Sequence, residues 1–394
     1  MTPQARVQAA IELLDEVIAA ATAGGASADT IVARYFQTRR YAGSKDRRAV
    51  RDLVYAAIRR CGERPASGRT AMLSLADGQP GLIDLFDGSP HAPPPVGPGE
   101  TAASAGIAPA WILDRLQRTV PTADQSALLD RAPLDLRVNR LKAGREDVLA
   151  LFPGAEPLPY AEDGVRLAES TQVERHEGWL AGLFEVQDEG SQIAVNAAEA
   201  APGMTVVDLC AGAGGKTLAL AAAMRNEGRL VAADTDRRRL SRLAPRAQRA
   251  GVTMVETVLL DPGREAEALS GLEAGADLVL VDAPCSGTGT WRRNPETRWR
   301  LTPDRLARLM SLQAHLLDTG SRLVRPGGRL LYVVCSLLAE EGCEQVDAFL
   351  SRHPGWSVDM PELPTGRPSG KGMLLTPAQD GTDGFFIARL KRPC

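Results

Sequence analysis

Residues 206–224 read VVDLCAGAGGKTLALAAAM and combine an apolar run, a glycine-rich turn and a helical pattern. The apolar run predicts a buried strand, and Gly212, Gly214 and Gly215 allow the backbone to turn tightly before the helix. A loop without Cβ atoms lets a ligand approach closely, and the N-terminus of the following helix favours an anionic group. The segment therefore predicts a strand–turn–helix unit with a binding site for a nucleotide-like ligand.

Apolar runs alternate with helical patterns from about residue 184 onwards, which indicates an α/β domain with a mostly parallel sheet. The strand candidates are TVVDLC, GRLVAAD, VETVLLD, ADLVLVD and GGRLLYVVCS. Their continuous apolar character suits strands that are buried on both faces. Ligands of such sheets bind beyond the carboxyl ends of the strands, where this sequence places several aspartates and cysteines.

The remaining sequence and the composition limit the class of protein. The first ~130 residues have helical periodicity, and LDLRVNRL is the clearest strand in the segment that follows. The net charge of the 394 residues is only −3, so a nucleic-acid site would have to be a local basic patch. Six dispersed cysteines and four histidines predict no metal site, and the absence of a signal peptide or a 20-residue apolar run predicts a cytoplasmic protein without membrane contact.

The glycine loop is compatible with three kinds of ligand. A phosphate-binding loop would need a glycine five positions before Gly215, where this chain has Cys210, and CAGAGGK does not match the dinucleotide pattern. The third ligand is S-adenosylmethionine, for which Asp234 would bind the ribose hydroxyls and Asp261 would lie near the adenine. The two aspartates together favour the adenosyl cofactor, with a P-loop ATPase as the rival hypothesis.

Two cysteines, Cys285 and Cys335, follow the ends of predicted strands and should meet at the same edge of the sheet. A thiolate that adds to carbon 6 of a pyrimidine converts the ring into an enamine, whose carbon 5 then attacks an electrophilic methyl group. An unperturbed thiol has a pKa near 8.5, so a cation such as Lys216 would help to activate it. Asp282 suits a cytosine, whose exocyclic amine is a hydrogen-bond donor. The residues alone leave open which thiol is the nucleophile.

Four ordered segments resemble the Nol/Nop/Sun family of RNA 5-cytosine methyltransferases. They are FEVQDEGSQ (184–192), VVDLCAGAGGKT (206–217), VDAPCSGTGTWRRNPETRWR (281–300) and LLYVVCSLLAEEGCEQV (330–346). DGTDGFFIARL (380–390) is similar to the closing antiparallel strand of the family. GSKDRRAVRDLVYAAIRR (43–60) and LRVNRLKAGREDVLALF (136–152) resemble, more weakly, the NusB-type domain and the small domain of the RsmB subfamily.

The resemblance implies three domains: a helical NusB-like RNA-binding domain over residues 1–128, a small α+β domain over 129–183 and a Rossmann-like methyltransferase domain over 184–394. The last would contain a mostly parallel seven-stranded sheet. It also implies that Cys335 is the nucleophile, that Cys285 assists product release, and that Asp282 and Lys216 complete the catalytic set. Val334 stands where the family usually has a threonine. The cofactor contacts implied by the family are Cys210, Ala211, Gly212, Ala213, Gly214, Gly215, Lys216, Asp234, Asp261 and Asp282.

The basic cluster after the proline–cysteine motif is the predicted RNA contact, and it comprises Arg292, Arg293, Arg298 and Arg300. Phosphate contacts of this kind position an RNA without reading its sequence. The expected protein is a monomeric RNA (cytosine-5-)methyltransferase that acts on small-subunit ribosomal RNA through a covalent Cys335–cytosine intermediate. A tRNA cytosine-5 methyltransferase and a non-catalytic RNA-binding factor in ribosome assembly remain as alternatives.

Overall fold

The computed structural model describes residues 1–168 and 171–394, which form two compact units. The helical unit contains Met1–Arg131 and Thr290–Pro303, and the catalytic unit contains Ala132–Gly289 and Asp304–Cys394. This division differs from the predicted boundaries, because the small domain and the methyltransferase domain belong to one unit. The segment Thr290–Pro303, predicted as part of the methyltransferase domain, belongs instead to the helical unit.

The helical unit packs its helices around a core in which Leu13, Leu14 and Val54 are fully buried. The first helix begins after Thr2, whose side chain accepts a hydrogen bond from the Ala5 amide, and ends at Gly24 in the left-handed conformation. The helices are α1 (Pro3–Ala23), α2 (Ala28–Thr38), α3 (Ser44–Arg60), α4 (Gly68–Gly78) and α5 (Ala110–Leu116), with 3-10 helices at Ile83–Leu85 and Thr122–Leu129.

The segment Thr290–Pro303 inserts two side chains into the helical unit. Trp299 is 3% exposed within its hydrophobic core, and Arg298 is 0% exposed. The Arg298 guanidinium donates hydrogen bonds to the backbone carbonyls of Arg59 at 3.2 Å, Cys61 at 2.7 Å and Pro295 at 3.0 Å, and it also reaches the carbonyl of Ile58. The predicted RNA contact is therefore wrong for Arg298, which joins two distant parts of the chain instead.

The other arginines of the predicted RNA contact are placed differently from one another. Arg300 donates to the carbonyl of Gly25 at 2.7 Å and to that of Ala26. Its guanidinium is therefore already hydrogen-bonded to backbone oxygens. Arg292 is 8% exposed, and Arg293 is partly exposed. Arg293 and Arg300 are thus accessible to RNA, whereas Arg292 and Arg298 are buried.

The catalytic unit begins with a four-stranded antiparallel sheet in the order β2-β3-β1-β4. Its core is formed by apolar side chains such as Leu136, Val148 and Phe184. The last strand extends this sheet beyond the predicted boundary at residue 183. The elements are β1 (Leu134–Val138), α6 (Arg145–Leu151), β2 (Glu156–Pro157), β3 (Gly164–Leu167), α7 (Glu177–Leu180) and β4 (Phe184–Val186).

A larger mixed sheet with flanking helices follows in the sequence. Its first part comprises α8 (Glu189–Asn196), β5 (Thr205–Asp208), α9 (Gly215–Ala223), β6 (Arg229–Asp234), α10 (Arg237–Leu240), α11 (Leu243–Ala250), β7 (Val255–Leu259), α12 (Glu265–Ala268) and β8 (Ala276–Asp282). Its second part comprises α13 (Pro303–Leu323), β9 (Val324–Val334), α14 (Cys343–Arg352), β10 (Ser357–Val358), β11 (Arg367–Ser369), β12 (Gly372–Leu375), α15 (Pro377–Asp380) and β13 (Phe385–Lys391). Further 3-10 helices lie at Ser270–Leu272, Thr288–Thr290 and Pro295–Arg300.

The main sheet has the order β11-β12-β13-β9-β8-β5-β6-β7, and β10 pairs with β13. Strands β7, β6, β5, β8 and β9 are parallel, as the apolar runs predict, and β13 is antiparallel to β9, as the family resemblance implies. The predicted count of seven strands is wrong, since the main sheet contains nine strands among the described residues. Strands of two to four residues, such as β10, β11 and β12, are too short to show periodicity in the sequence.

We predict that Arg298→Ala destabilises the helical unit by about 3 kcal/mol, because it leaves buried carbonyl oxygens without donors. Hydrogen exchange of peptides from α1 and α3 measures this loss of protection. The exposed Arg40 provides a control in the same unit, and Arg40→Ala should change the stability by no more than about 0.5 kcal/mol. Equal protection in the two variants would contradict the structural role of Arg298.

Candidate active site

The glycine loop lies between β5 and α9, and its glycines are required by packing as well as by conformation. Gly212 and Gly214 have φ values of +56° and +88°, in the left-handed region that side chains disfavour. A Cβ atom on Gly214 would lie 2.1 Å from a methyl group of Leu243, and one on Gly212 would lie 2.3 Å from the Arg239 guanidinium. A larger residue at either position would be strained by the positive φ and would have to push aside the Leu243 or the Arg239 side chain.

Side chains from three other elements fix the polar groups of this loop. The Gly212 amide donates to Asp234 Oδ2 at 2.7 Å, Arg246 donates to the Ala213 carbonyl at 2.7 Å, and Arg137 donates to the Gly215 carbonyl at 2.8 Å. Sequence reasoning identified Asp234 but missed both arginines. Arg137 lies on β1 of the small sheet, so no local pattern connects it with the loop. The loop is thus held in shape by its surroundings before any ligand binds.

Lys216 and Asp282 form an ion pair at the edge of the sheet. Their Nζ and Oδ2 atoms are 2.7 Å apart, and the two side chains are 12% and 29% exposed. Burial alone would lower the pKa of Lys216, but attraction to Asp282 and their hydrogen bond raise it above its usual value. Lys216 is therefore a cation at neutral pH. Because the Lys216 ammonium is paired with Asp282, it does not offer the positive charge that a phosphate-binding loop requires. This pairing argues against the P-loop hypothesis.

The structure brings Cys285 and Cys335 together, with their Sγ atoms 3.4 Å apart. Both side chains are partly exposed. The hydrogen bond with Cys335, followed by burial, raises the pKa of Cys285 well above that of an ordinary thiol. Cys285 is therefore protonated at neutral pH. Either sulfur can be the donor of this hydrogen bond, so the geometry brings the two thiols together without deciding which of them is the nucleophile.

The remaining predicted cofactor contacts surround the glycine loop. Cys210 is partly exposed, and burial raises the pKa of its thiol well above the usual value. Leu259 of β7 is in register with Asp234 of β6, so the exposed Asp261 lies two residues beyond the same edge. Asp234 is 7% exposed, and its Oδ1 accepts a hydrogen bond from the Asp236 amide at 2.7 Å. These positions agree with a nucleoside cofactor that lies across the ends of β5 and β6.

Two features are absent from the part of the chain that the structure describes. No helix within residues 1–168 and 171–394 is both long enough and apolar enough to span a lipid bilayer. Within the same residues, histidine, cysteine and carboxylate side chains form no group of three or more that could hold a metal ion.

Comparison with protein families gives two matches. Residues 195–391 match the family described as 16S rRNA methyltransferase RsmB/F. Residues 108–174 match the ferredoxin-like domain described as RsmF/B-like. The second match contains strands β1, β2 and β3 of the small antiparallel sheet. The family comparison thus assigns this part of the chain to a ferredoxin-like domain.

One curated relative and two solved structures are similar to this chain, and the structure of lower identity shows the fold alone. The ribosomal RNA small subunit methyltransferase B of Salmonella arizonae is 37% identical over 297 residues, which are 74% of this chain and 67% of that protein. The crystal structure of PH0851 superposes with a TM-score of 0.79 at 24% identity and covers 100% of this chain and 99% of that one. A methyltransferase homolog protein from Pyrococcus horikoshii has a TM-score of 0.63 and 29% identity, covering 72% of this chain and 94% of that one.

The buried Asp208, at the end of β5, should make the free energy of unfolding depend on pH. It is 1% exposed, its Oδ2 accepts a hydrogen bond from Thr217 at 2.7 Å, and burial raises its pKa to about 7. The unfolded chain loses this proton near pH 4, whereas the folded chain keeps it until pH 7, so the stabilisation by the protonated carboxyl declines as the pH rises.

We expect the free energy of unfolding of the natural protein to fall relative to that of Asp208→Asn by about 3 kcal/mol between pH 5 and pH 8. The amide does not titrate, so the variant provides the reference. Urea unfolding of the catalytic unit at several pH values measures the difference. A difference that stays constant across this range would contradict the raised pKa.

Proposed function

Because the chain belongs to the RsmB/F family of 16S rRNA methyltransferases, we propose that it transfers a methyl group from S-adenosylmethionine to carbon 5 of a cytosine in small-subunit ribosomal RNA. The observation that carries this proposal is the pair of sulfur atoms, 3.4 Å apart, beside the Lys216–Asp282 ion pair. A thiol pair at the edge of a cofactor-binding sheet suits the covalent activation of a pyrimidine.

The residues around the glycine loop fit the adenosyl cofactor. When bound, S-adenosylmethionine supplies an electrophilic methyl group on a sulfonium. Asp234 and Asp261 would bind the nucleoside. Three glycines would let the cofactor approach the backbone of the loop closely, and they are Gly212, Gly214 and Gly215. The loop offers the cofactor a preformed site, because Arg137 and Arg246 already hold the loop carbonyls.

Cys335 begins the reaction as a thiolate, after its proton passes to water, and its Sγ atom bonds to carbon 6 of the cytosine. The new C–S bond breaks the aromatic 5,6 double bond and places electron density on carbon 5, which becomes the methyl acceptor; the methyl group would leave the cofactor sulfur, which would keep the bonding electron pair. The proton on carbon 5 then passes to water, which restores the double bond and expels the Cys335 thiolate. The electron pair of the C–S bond thus returns to sulfur, and the enzyme leaves the cycle unchanged.

Asp282 and Lys216 assist the addition by positioning the base and balancing its charge. The Asp282 carboxylate is suited to accept a hydrogen bond from the exocyclic amine, a donor that cytosine has and uracil lacks. The Lys216 ammonium compensates the carboxylate, so cytosine can bind without facing an uncompensated negative charge. Cys285 keeps its proton during the addition and acts afterwards, in the release of the methylated base.

The remaining parts of the chain would bind the RNA. We propose that the helical unit is a NusB-like RNA-binding domain and that Arg293 contacts an RNA phosphate. The target base must leave its stack to reach the thiols, which requires that the enzyme hold the surrounding RNA in a fixed position.

A labelling experiment tests the reaction. Incubation with methyl-labelled S-adenosylmethionine and small-subunit ribosomal RNA should place the label on carbon 5 of a cytidine, as identified by nucleoside mass spectrometry. Transfer RNA and large-subunit ribosomal RNA serve as competing substrates. Label on a nitrogen or a ribose oxygen, or exclusively on transfer RNA, would contradict the proposed function.

The two thiols should have opposite phenotypes. Cys335→Ala should reduce turnover by at least about 10³-fold, since it removes the nucleophile. Cys285→Ala should accumulate a covalent protein–RNA adduct, since addition proceeds while release fails. Cys343→Ala is the control, because Cys343 lies on α14 and is not part of the thiol pair. Adduct in Cys335→Ala and none in Cys285→Ala would mean that the roles are reversed; gel electrophoresis under denaturing conditions separates these outcomes.

A further inference from the structure

The distance between the two thiols depends on two separate loops. Cys335 comes directly after β9, and Cys285 lies three residues beyond the end of β8. The pairing of β8 with β9 ends at Asp282 and Val333, so sheet hydrogen bonds do not extend to either sulfur. Another contact must therefore hold the two loops together if the sulfur atoms are to stay 3.4 Å apart.

The Gly289 amide donates to the Cys335 carbonyl at 3.0 Å, and the Leu337 amide donates to the Thr288 hydroxyl at 2.8 Å. The carboxylate of Glu341 adds the contact that lies next to both thiols. Its Oε1 accepts hydrogen bonds from the Ser286 amide and from Gln313 Nε2, both at 2.9 Å. Its Oε2 accepts from the Ser336 hydroxyl at 2.5 Å and from the Ser286 hydroxyl. Ser286 and Ser336 each follow one of the two active-site cysteines. One carboxylate thus binds the residue next to both thiols.

The surroundings of Glu341 indicate that this arrangement is rigid. The residue is 0% exposed, and in the described part of the chain no lysine or arginine pairs with its carboxylate. Its backbone carbonyl accepts a hydrogen bond from the buried Tyr332 hydroxyl at 2.7 Å, and Gln313 also donates to the Pro284 carbonyl at 3.0 Å. A buried charge is costly unless donors surround it, so four donors aimed at one carboxylate leave the group little freedom to move.

We propose that Glu341 is a positioning residue that fixes Cys285 against Cys335 by binding the serine that follows each of them. It touches neither the RNA base nor the cofactor and acts through the two loops alone. The negative charge of Glu341 also contributes to the raised pKa of Cys285, after the hydrogen bond with Cys335 and burial. The same residue therefore supports both the geometry and the protonation of the release thiol. This role in catalysis rests on the proposed function, whereas the control of the thiol distance does not.

The equilibrium between the two thiols and their disulfide reports the sulfur–sulfur distance without RNA or cofactor. In glutathione buffers, Cys285 and Cys335 lose two protons and two electrons to oxidised glutathione, which becomes two reduced glutathione molecules. Thiols that the fold holds together form this disulfide more readily than thiols on independent loops. Mass spectrometry of the Cys285–Cys335 peptide pair measures the oxidised fraction.

We expect Glu341→Gln to lower the disulfide equilibrium constant at least 10-fold and to reduce kcat at least 10-fold, while the KM for RNA and the affinity for S-adenosylmethionine stay within 2-fold. The amide nitrogen donates where the carboxylate accepts, so the serine hydroxyls have to rotate and each gives up its charge-assisted bond, which holds the loops less tightly. Asp277→Asn is the matched control. It amidates a carboxylate that accepts the Thr205 amide at 2.7 Å at the opposite end of β8, and it should change neither quantity by more than 2-fold.

A disulfide constant unchanged in Glu341→Gln would overturn the proposal. If that variant fails to fold, the double variant Ser286→Ala, Ser336→Ala removes the hydroxyl groups that bind the carboxylate. A 10-fold lower disulfide equilibrium constant in the double variant supports the proposal. A constant equal to that of the natural protein overturns it. Because this readout requires no methyl transfer, it stays valid even if the protein modifies a substrate other than cytosine. Loss of disulfide formation together with an inactive natural protein would support the role of Glu341 and count against the proposed function alone.

Discussion

The parallel pairing of β8 with β9 is the constraint on which the site depends. It places Asp282 in register with Val333, so the chain segments that leave the two strands begin side by side at the same edge of the sheet. Each segment carries a cysteine within three residues of the strand end. The sulfur atoms meet at 3.4 Å because the sheet sets the starting points and Glu341 holds the loops that follow.

Carboxyl groups give the site its electrostatic character, and the protein compensates each of them in a different way. Asp282 pairs with a lysine, Glu341 is surrounded by neutral donors, and Asp208 keeps its proton up to about pH 7. These different surroundings give the three carboxyl groups different roles. A charged pair can balance a polar base, a hydrogen-bonded carboxylate can hold loops in place, and a neutral carboxyl avoids adding a further charge beneath the glycine loop.

The sequence predicts the local features of this chain well. The five parallel strands, the glycine loop and the meeting of the two thiols follow from apolar periodicity and strand ends, and the match over residues 195–391 confirms the family that the motifs indicate. Contacts between residues that lie far apart in the chain cannot be predicted from such local patterns. Arg298 looks like part of a basic RNA patch until its guanidinium is seen to bind carbonyls some 240 residues earlier in the chain. Arg137 carries no local signal either, because the Gly215 carbonyl that it binds lies on another element. Glu341 has one nearby partner, Ser336, but Ser286 and Gln313 lie far from it in the sequence.

The central claim is that Cys335 bonds covalently to the cytosine while Cys285 stays protonated beside it. RNA in which 5-fluorocytidine replaces cytidine tests this claim directly, because fluorine on carbon 5 cannot leave as the proton does and the adduct persists. Mass spectrometry of the trapped complex should locate the nucleotide on the peptide that contains Cys335. A nucleotide attached to the peptide with Cys285, or no adduct with an otherwise active enzyme, would contradict the account.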